Sequence, residues 1–104
     1  MRIKVSDYIA QLAAEFGIEQ VFTVTGGGAM HLNDSFGHSD KLRCIYNHHE
    51  QACAIGAESY ARIAGKPALL CVTTGPGGTN ALTGVLGAYL DSIPMLVNSK
   101  EHRA

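Results

Sequence analysis

Ala68-Leu69-Leu70-Cys71-Val72-Thr73 is a continuous apolar stretch, closed off by Gly65-Lys66-Pro67 before it and by Thr74-Gly75-Pro76-Gly77-Gly78 after it. A strand with no polar face has to be covered on both sides, which is the situation inside a parallel sheet flanked by helices. The rest of the chain reads in the same way. Residues 50–64 are Ala-rich and free of proline, and so predict a helix that stops at Gly65. Its small residues, Ala52, Gly56, Ser59 and Ala54, Ala57, Ala61, allow a neighbouring element to approach closely. Ser6 is placed to cap a first helix that runs to about Phe16, with Ile9, Leu12, Ala13 and Phe16 at helical spacing and Gly17 at the stop. Residues 21–24 predict a short buried strand, Gly26 to Gly28 the turn after it, and residues 29–36 a short helix. Residues 42–46 predict a second strand, 79–90 a further helix, and Pro94 to Val97 the start of a fourth strand. Strand and helix alternate, so the expected fold class is α/β: an open, mainly parallel sheet with helices on both faces and right-handed crossovers.

The chain has 104 residues, enough for one small domain or a part of a larger protein. With 46% hydrophobic and 16% charged residues, most of it is expected to be ordered. A net charge of −1 without a basic stripe argues against a dedicated nucleic-acid binder. No apolar run reaches the roughly 18 residues that suggest a membrane span. The first residues hold no apolar signal core, and the expected location is cytoplasmic. Cys44, Cys53 and Cys71 lie in apolar surroundings without a C-x-x-C or metal-ligand spacing, and are read as buried thiols in a reducing compartment. Residues 100–104 form a polar tail. A sheet that ends at the fourth strand leaves an open edge and an uncovered face, so the sequence reads as the front part of something longer.

In open α/β sheets ligands gather at the carboxyl ends of the strands. Three loops are expected there: Gly26-Gly27-Gly28, His48-His49-Glu50 and Thr74 to Asn80. The Gly75-Pro76-Gly77-Gly78 loop exposes backbone to a ligand, and helix-initiating N–H groups would favour an anion. The P-loop pattern nevertheless fails, because no Lys-Ser/Thr pair follows the glycines. The dinucleotide fingerprint fails too, with His31 in place of its third glycine and Asn47 where an acidic ribose partner is wanted. Glu50 is the sharpest candidate. Among Ile45, Ala52, Cys53 and Ala54 its carboxyl is expected to be partly desolvated, hence raised in pKa and suited to proton transfer. The competing reading is an acidic residue favourably placed in a helix first turn. Adjacent His48 and His49 point apart, complete no metal-ligand set, and are read as solvated or hydrogen-bonded loop residues. Asp91-Ser92-Ile93-Pro94 reads as a helix end leading into a strand.

The blocks His49-Glu50-Gln51-Ala52, Ala57-Glu58-Ser59-Tyr60-Ala61-Arg62, Thr74-Gly75-Pro76-Gly77 with Asn80, and Ala88 with Asp91-Ser92-Ile93-Pro94 occur in order and at natural spacing. Together they resemble the N-terminal pyrimidine-binding domain of thiamine-diphosphate-dependent enzymes, in particular the acetolactate synthase and 2-oxoacid decarboxylase group. The resemblance covers roughly Val5 to Val97, so residues 5–99 are expected to form an incomplete pyrimidine-binding domain. It implies that the Glu50 carboxyl hydrogen-bonds N1′ of the aminopyrimidine and relays a proton to it. It also implies that Thr74, Gly75 and Asn80 lie near the pyrimidine, and that Gly26, Gly27 and Gly28 face the substrate cavity. Two positions depart from the family pattern. Gly26-Gly27 stands where a proline often precedes the glycine pair, and Lys100 follows the fourth strand where glycine is common.

The family holds its diphosphate and Mg²⁺ through a separate domain carrying a Gly-Asp-Gly…Asn motif, contributed by a second subunit. No such motif occurs in these residues. The expectation is therefore the pyrimidine-binding portion of a thiamine-diphosphate-dependent enzyme acting on a 2-oxoacid, inactive as this chain alone and paired with a diphosphate-binding domain in a homo-oligomer. The alternative is a noncatalytic oligomerisation or binding module that keeps the fold without that domain. A free-standing nucleotide binder is disfavoured by the failed fingerprints.

Overall fold

The computed structural model describes residues 3–99; the expected polar tail at 100–104 lies outside them. Four strands, β1 (Gln20–Thr23), β2 (Arg43–Tyr46), β3 (Ala68–Val72) and β4 (Met95–Ser99), form one sheet in the order β2-β1-β3-β4. Every pairing is parallel, with Phe22 opposite both Ile45 and Leu70, and Leu70 opposite Val97. The α/β sheet expected from the alternation is present.

All five residues of β3 are buried, and they divide by parity. Leu69 and Cys71 join Val21, Ala10, Ala13, Ile18 and Phe36 in one cluster. Ala68, Leu70 and Val72 join Phe22, Cys53, Ala54 and Ala57 in another. Side chains alternate across a strand, so the apolar run supplies both cores at once. The first cluster is covered by α1 (Val5–Glu15) and α2 (Met30–His38), the second by α3 (Glu50–Ala64) and α5 (Leu82–Leu90).

Helix α3 has the bounds its composition predicts, and Gly65 closes it with a left-handed φ of 73°. Its close-packing face is narrower than expected. Ala54, Ala57 and Ala61 are buried and Gly56 lies against the Phe22 ring, while Ala52 and Ser59 are exposed. On α1 the prediction is half met. Ala13 is buried, but Phe16 is 70% exposed, because the helix stops at Glu15 and Phe16 begins the turn. Ser6 does not cap that helix. It sits inside the first turn, buried, with its hydroxyl hydrogen-bonded to that of Ser35 at 2.8 Å, and so ties α1 to α2.

The largest correction falls at residues 75–90. A bare loop over the glycines followed by one helix from residue 79 is expected. The structure has a one-turn helix α4 (Pro76–Asn80), a break at Ala81, and then α5. Gly75, with φ 62° and ψ −118°, makes the sharp entry, and Pro76 takes the first helical position, where its missing N–H costs nothing. The Ala81 N–H bonds to the Gly78 carbonyl, three residues back, which tightens the turn and separates the two helices.

Candidate functional site

The loops that follow β1, β2 and β3 meet at the carboxyl edge of the sheet. Glu50 is the first residue of α3, directly after His49, whose extended backbone (φ −151°) makes it the N-cap. The His49 Nδ1 accepts the Gln51 N–H at 3.0 Å, so this imidazole closes the helix end and carries its proton on Nε2. His48 is exposed. The histidines thus behave as loop residues, one of them hydrogen-bonded.

Glu50 as a residue is half-buried. Of its expected apolar surroundings, Cys53 and Ala54 are buried, Ile45 is half-buried and Ala52 is exposed, because a residue two positions along a helix points away. Its defining contact comes from another element. Asn80 Nδ2, at the end of α4, donates to Glu50 Oε1 at 3.3 Å. Gly77 lies beside the other oxygen: a Cβ there would stand 3.6 Å from Glu50 Oε2 and 2.9 Å from the Thr73 methyl. A carboxylate held on one oxygen by an amide, above a glycine that leaves its other oxygen uncovered, suits a hydrogen bond to a flat ring nitrogen.

The backbone at Gly75–Gly78, expected to face a ligand, is partly taken up by the turn of α4. The Gly77 N–H is bonded to the Thr74 carbonyl at 3.3 Å and the Thr79 N–H to the Gly75 carbonyl at 3.1 Å. These two donors are spent on the helical turn.

Gly26, Gly27 and Gly28 are brought to the same edge. Gly26 and Gly27 line an open cavity of about 400 Å³ with Thr25, Met30 and Asn33. Gly28 borders another of about 530 Å³ between α1 and the start of α2. The residue joining this loop to the Glu50–Asn80 pair is Thr73, which stands at the junction of β3 with the glycine loop and to which the sequence alone assigns no role of its own. Thr73 Oγ1 accepts the Gly28 N–H at 3.0 Å. A threonine at the carboxyl end of a buried strand, between two glycine loops, is the signal that could have pointed to it.

The cysteines are structural. All three are free thiols, Cys53 and Cys71 fully buried and Cys44 half-buried on the edge strand. Burial pushes the Cys53 and Cys71 thiols up to about 11 and raises Cys44 as well. Among the described residues no group of three His, Cys, Asp or Glu side chains converges as a metal site. Among them, too, no helix is long and apolar enough to cross a membrane.

A parallel sheet with a carboxylate, a carboxamide and glycine loops at its carboxyl edge is a ligand-binding α/β domain. The chain belongs to the thiamine pyrophosphate enzymes: residues 3–104 match the family described as "Thiamine pyrophosphate enzyme, N-terminal TPP binding domain". It is similar to the acetolactate synthase large subunit of Lactococcus lactis subsp. lactis (strain IL1403), 41% identical over 92 residues that make up 88% of this chain and 16% of the relative. The chloroplastic acetolactate synthase of Arabidopsis thaliana is 37% identical over 93 residues, 89% of this chain and 14% of the relative. The mitochondrial acetolactate synthase catalytic subunit of Saccharomyces cerevisiae (strain ATCC 204508 / S288c) is 38% identical over 87 residues, 84% of this chain and 13% of the relative. The chain thus spans about a sixth or less of the length of these relatives. Thiamine pyrophosphate, that is thiamine diphosphate, is the cofactor of the family, and the chain is an acetolactate synthase-like N-terminal domain of it.

Proposed function

We propose that this domain forms the pyrimidine side of a thiamine diphosphate site in an enzyme that acts on 2-oxoacids, and that Glu50 exchanges a proton with N1′ of the aminopyrimidine. The observation that carries the reading is the Glu50–Asn80 pair, drawn from two separate loops to one edge of the sheet. When bound, the cofactor supplies the electron sink for chemistry at a carbonyl carbon, and the protein supplies binding and orientation. Glu50 holds or releases the proton at N1′. Asn80 acts on Glu50: its amide fixes one carboxyl oxygen and leaves the other for the ring. Thr74 and Gly75 border the pyrimidine, while Gly26, Gly27 and Gly28 form the wall towards the substrate.

We assign the diphosphate and its Mg²⁺ to a separate domain of a second subunit, since the sequence carries no Gly-Asp-Gly…Asn motif. A homo-oligomer is supported by the outer face of α5, where Leu82, Leu86, Tyr89 and Leu90 are all exposed. Three free thiols fit a reducing compartment, and we keep the cytoplasm as the working location, although the relatives' names include chloroplast and mitochondrion.

The test is Glu50→Gln in the full-length protein. The amide keeps the shape but cannot relay a proton. Exchange of the thiazolium C2 hydrogen, followed by NMR, should slow by about 10²- to 10⁴-fold. Cofactor affinity should change far less, and His48→Ala should leave exchange close to wild type. Wild-type exchange and turnover in Glu50→Gln would return Glu50 to a helix-terminus role. Failure of the full-length protein to bind thiamine diphosphate at all would favour the noncatalytic module.

A further inference from the structure

Three glycines surround one side chain. A Cβ on Gly26 would lie 2.6 Å from Thr73 Cβ and 2.7 Å from its methyl. One on Gly28 would lie 2.7 Å from Thr73 Oγ1, and one on Gly77 2.9 Å from the Thr73 methyl. Real Cβ atoms essentially never come this close, and Thr73 directly follows β3, whose last residue is Val72. Gly26 and Gly28 belong to the loop after β1, Gly77 to α4. The same Thr73 hydroxyl accepts the Gly28 N–H at 3.0 Å. Loops far apart in sequence thus close on a single threonine, by contact on three sides and by a hydrogen bond on one of them.

We propose that Thr73 is a positioning residue that locks the Gly26–Gly28 loop against α4 and so sets the spacing between the substrate-facing wall and the Glu50–Asn80 pair. The methyl fixes the distance, since Gly26 and Gly77 both approach it too closely to carry a Cβ. The hydroxyl fixes the register, since it satisfies the Gly28 N–H. The functional half of the statement rests on the thiamine diphosphate reading above; the locking itself does not.

Thr73→Val keeps the shape and removes the acceptor, and Thr73→Ser keeps the acceptor and removes the methyl. In the full-length protein without ligand, amide hydrogen exchange at Gly28 should speed up about tenfold in Thr73→Val, as expected for one lost hydrogen bond. It should stay near wild type in Thr73→Ser. Thr73→Ala, which removes contacts rather than adding any, carries the same expectation if the valine variant does not fold. With thiamine diphosphate, Mg²⁺ and a 2-oxoacid, Thr73→Val should raise the substrate KM by roughly tenfold or more while cofactor affinity stays within a factor of two, and Thr73→Ser should recover most of the loss. Gly28 exchange unchanged in both Thr73→Val and Thr73→Ala overturns the lock. Faster exchange together with an unchanged KM overturns its role in spacing the site. Faster exchange in a protein with no 2-oxoacid turnover at all upholds the lock and defeats the functional reading instead.

Discussion

The two flanks of the sheet are built differently. On the α1/α2 side polar groups tie the helices together and to the strands: Ser6 to Ser35, Ser35 to Asp7, and Asn33 to Thr23. Thr23 in turn donates to the Cys71 carbonyl at 2.8 Å, so that flank is pinned to the sheet by hydrogen bonds. On the α3/α5 side the helices meet backbone to backbone. A Cβ on Gly84 would stand 2.3 Å from Ala54 Cβ and 3.0 Å from the Ala54 carbonyl carbon. The outer surface of that flank is apolar, with Leu86 exposed and Tyr89 78% exposed. One flank is held by directional bonds, and it too exposes apolar side chains, among them Val5, Phe16 and Met30. The other is held mainly by close contact, with Arg62 on α3 also paired to Asp91 at the end of α5, and its outer face carries a row of exposed apolar side chains on α5.

Gly84→Ala against Gly37→Ala puts the contrast to its hardest test. At Gly84 the added methyl overlaps α3, and we expect a loss of about 2–3 kcal/mol, the upper part of the range for overpacking. At Gly37, near the end of α2, the nearest atom to an added Cβ is the Tyr46 hydroxyl at 3.8 Å, an ordinary contact. There the change should raise stability by about 0.5–1 kcal/mol through helix propensity. Denaturant midpoints of the two variants decide it; equal shifts would abolish the distinction between the flanks.

Assembly gives the next largest effect. Leu86→Glu places a charge in the exposed apolar row of α5 and should weaken self-association at least about tenfold in sedimentation, with the thermal midpoint of the fold little changed. The same association constant in the variant would show that this face is not covered by a second copy.

The two flanks also end their helices in the same way with different residues. After α1, the Gly17 N–H bonds to Ala14 and the Ile18 N–H to Ala13, with Gly17 at φ 87°. After α5, the Ser92 N–H bonds to Tyr89 and the Ile93 N–H to Ala88, with Ser92 at φ 56°. Both are Schellman endings, and only the second places a side chain in the left-handed region. Ser92→Gly should therefore stabilise the domain by about 1 kcal/mol. No gain in thermal midpoint would mean that the serine has a compensating contact.

The smallest effect concerns the thiols, where the flanks should agree. Cys71 lies in the α1/α2 cluster and Cys53 in the α3/α5 cluster, and burial raises both from 9.0 to about 11. The unfolded chain loses these protons first, so their contribution to stability is intact below pH 9 and falls as pH rises from 9 towards 11. Alkylation of the native protein should reach the half-buried Cys44 before either of them, followed by mass spectrometry. Equal rates at Cys53 and Cys44 would mean that the α3/α5 flank opens more readily than its packing suggests.

Local signals carried a large part of the molecule. The bounds of α3 follow from an uninterrupted run of good helix formers closed by Gly65, and the burial of β3 from an apolar run too short and too punctuated to be a helix. The alternation of elements implies the parallel sheet, and the parallel sheet implies the edge at which Glu50, Asn80 and the glycine loops meet. Other features depended on distances between residues remote in sequence. Whether Phe16 is covered depends on where the turn after α1 goes. Whether Ser6 caps a helix or binds Ser35 depends on where α2 lies. The backbone donors of Gly77 and Thr79 read as free for a ligand until the chain is seen to turn helical at Pro76. Thr73 is the clearest case. Composition and spacing determine that glycines stand at 26, 28 and 77, but only the folded chain brings all three to one side chain. Propensity is summed along the chain, whereas steric exclusion acts across it.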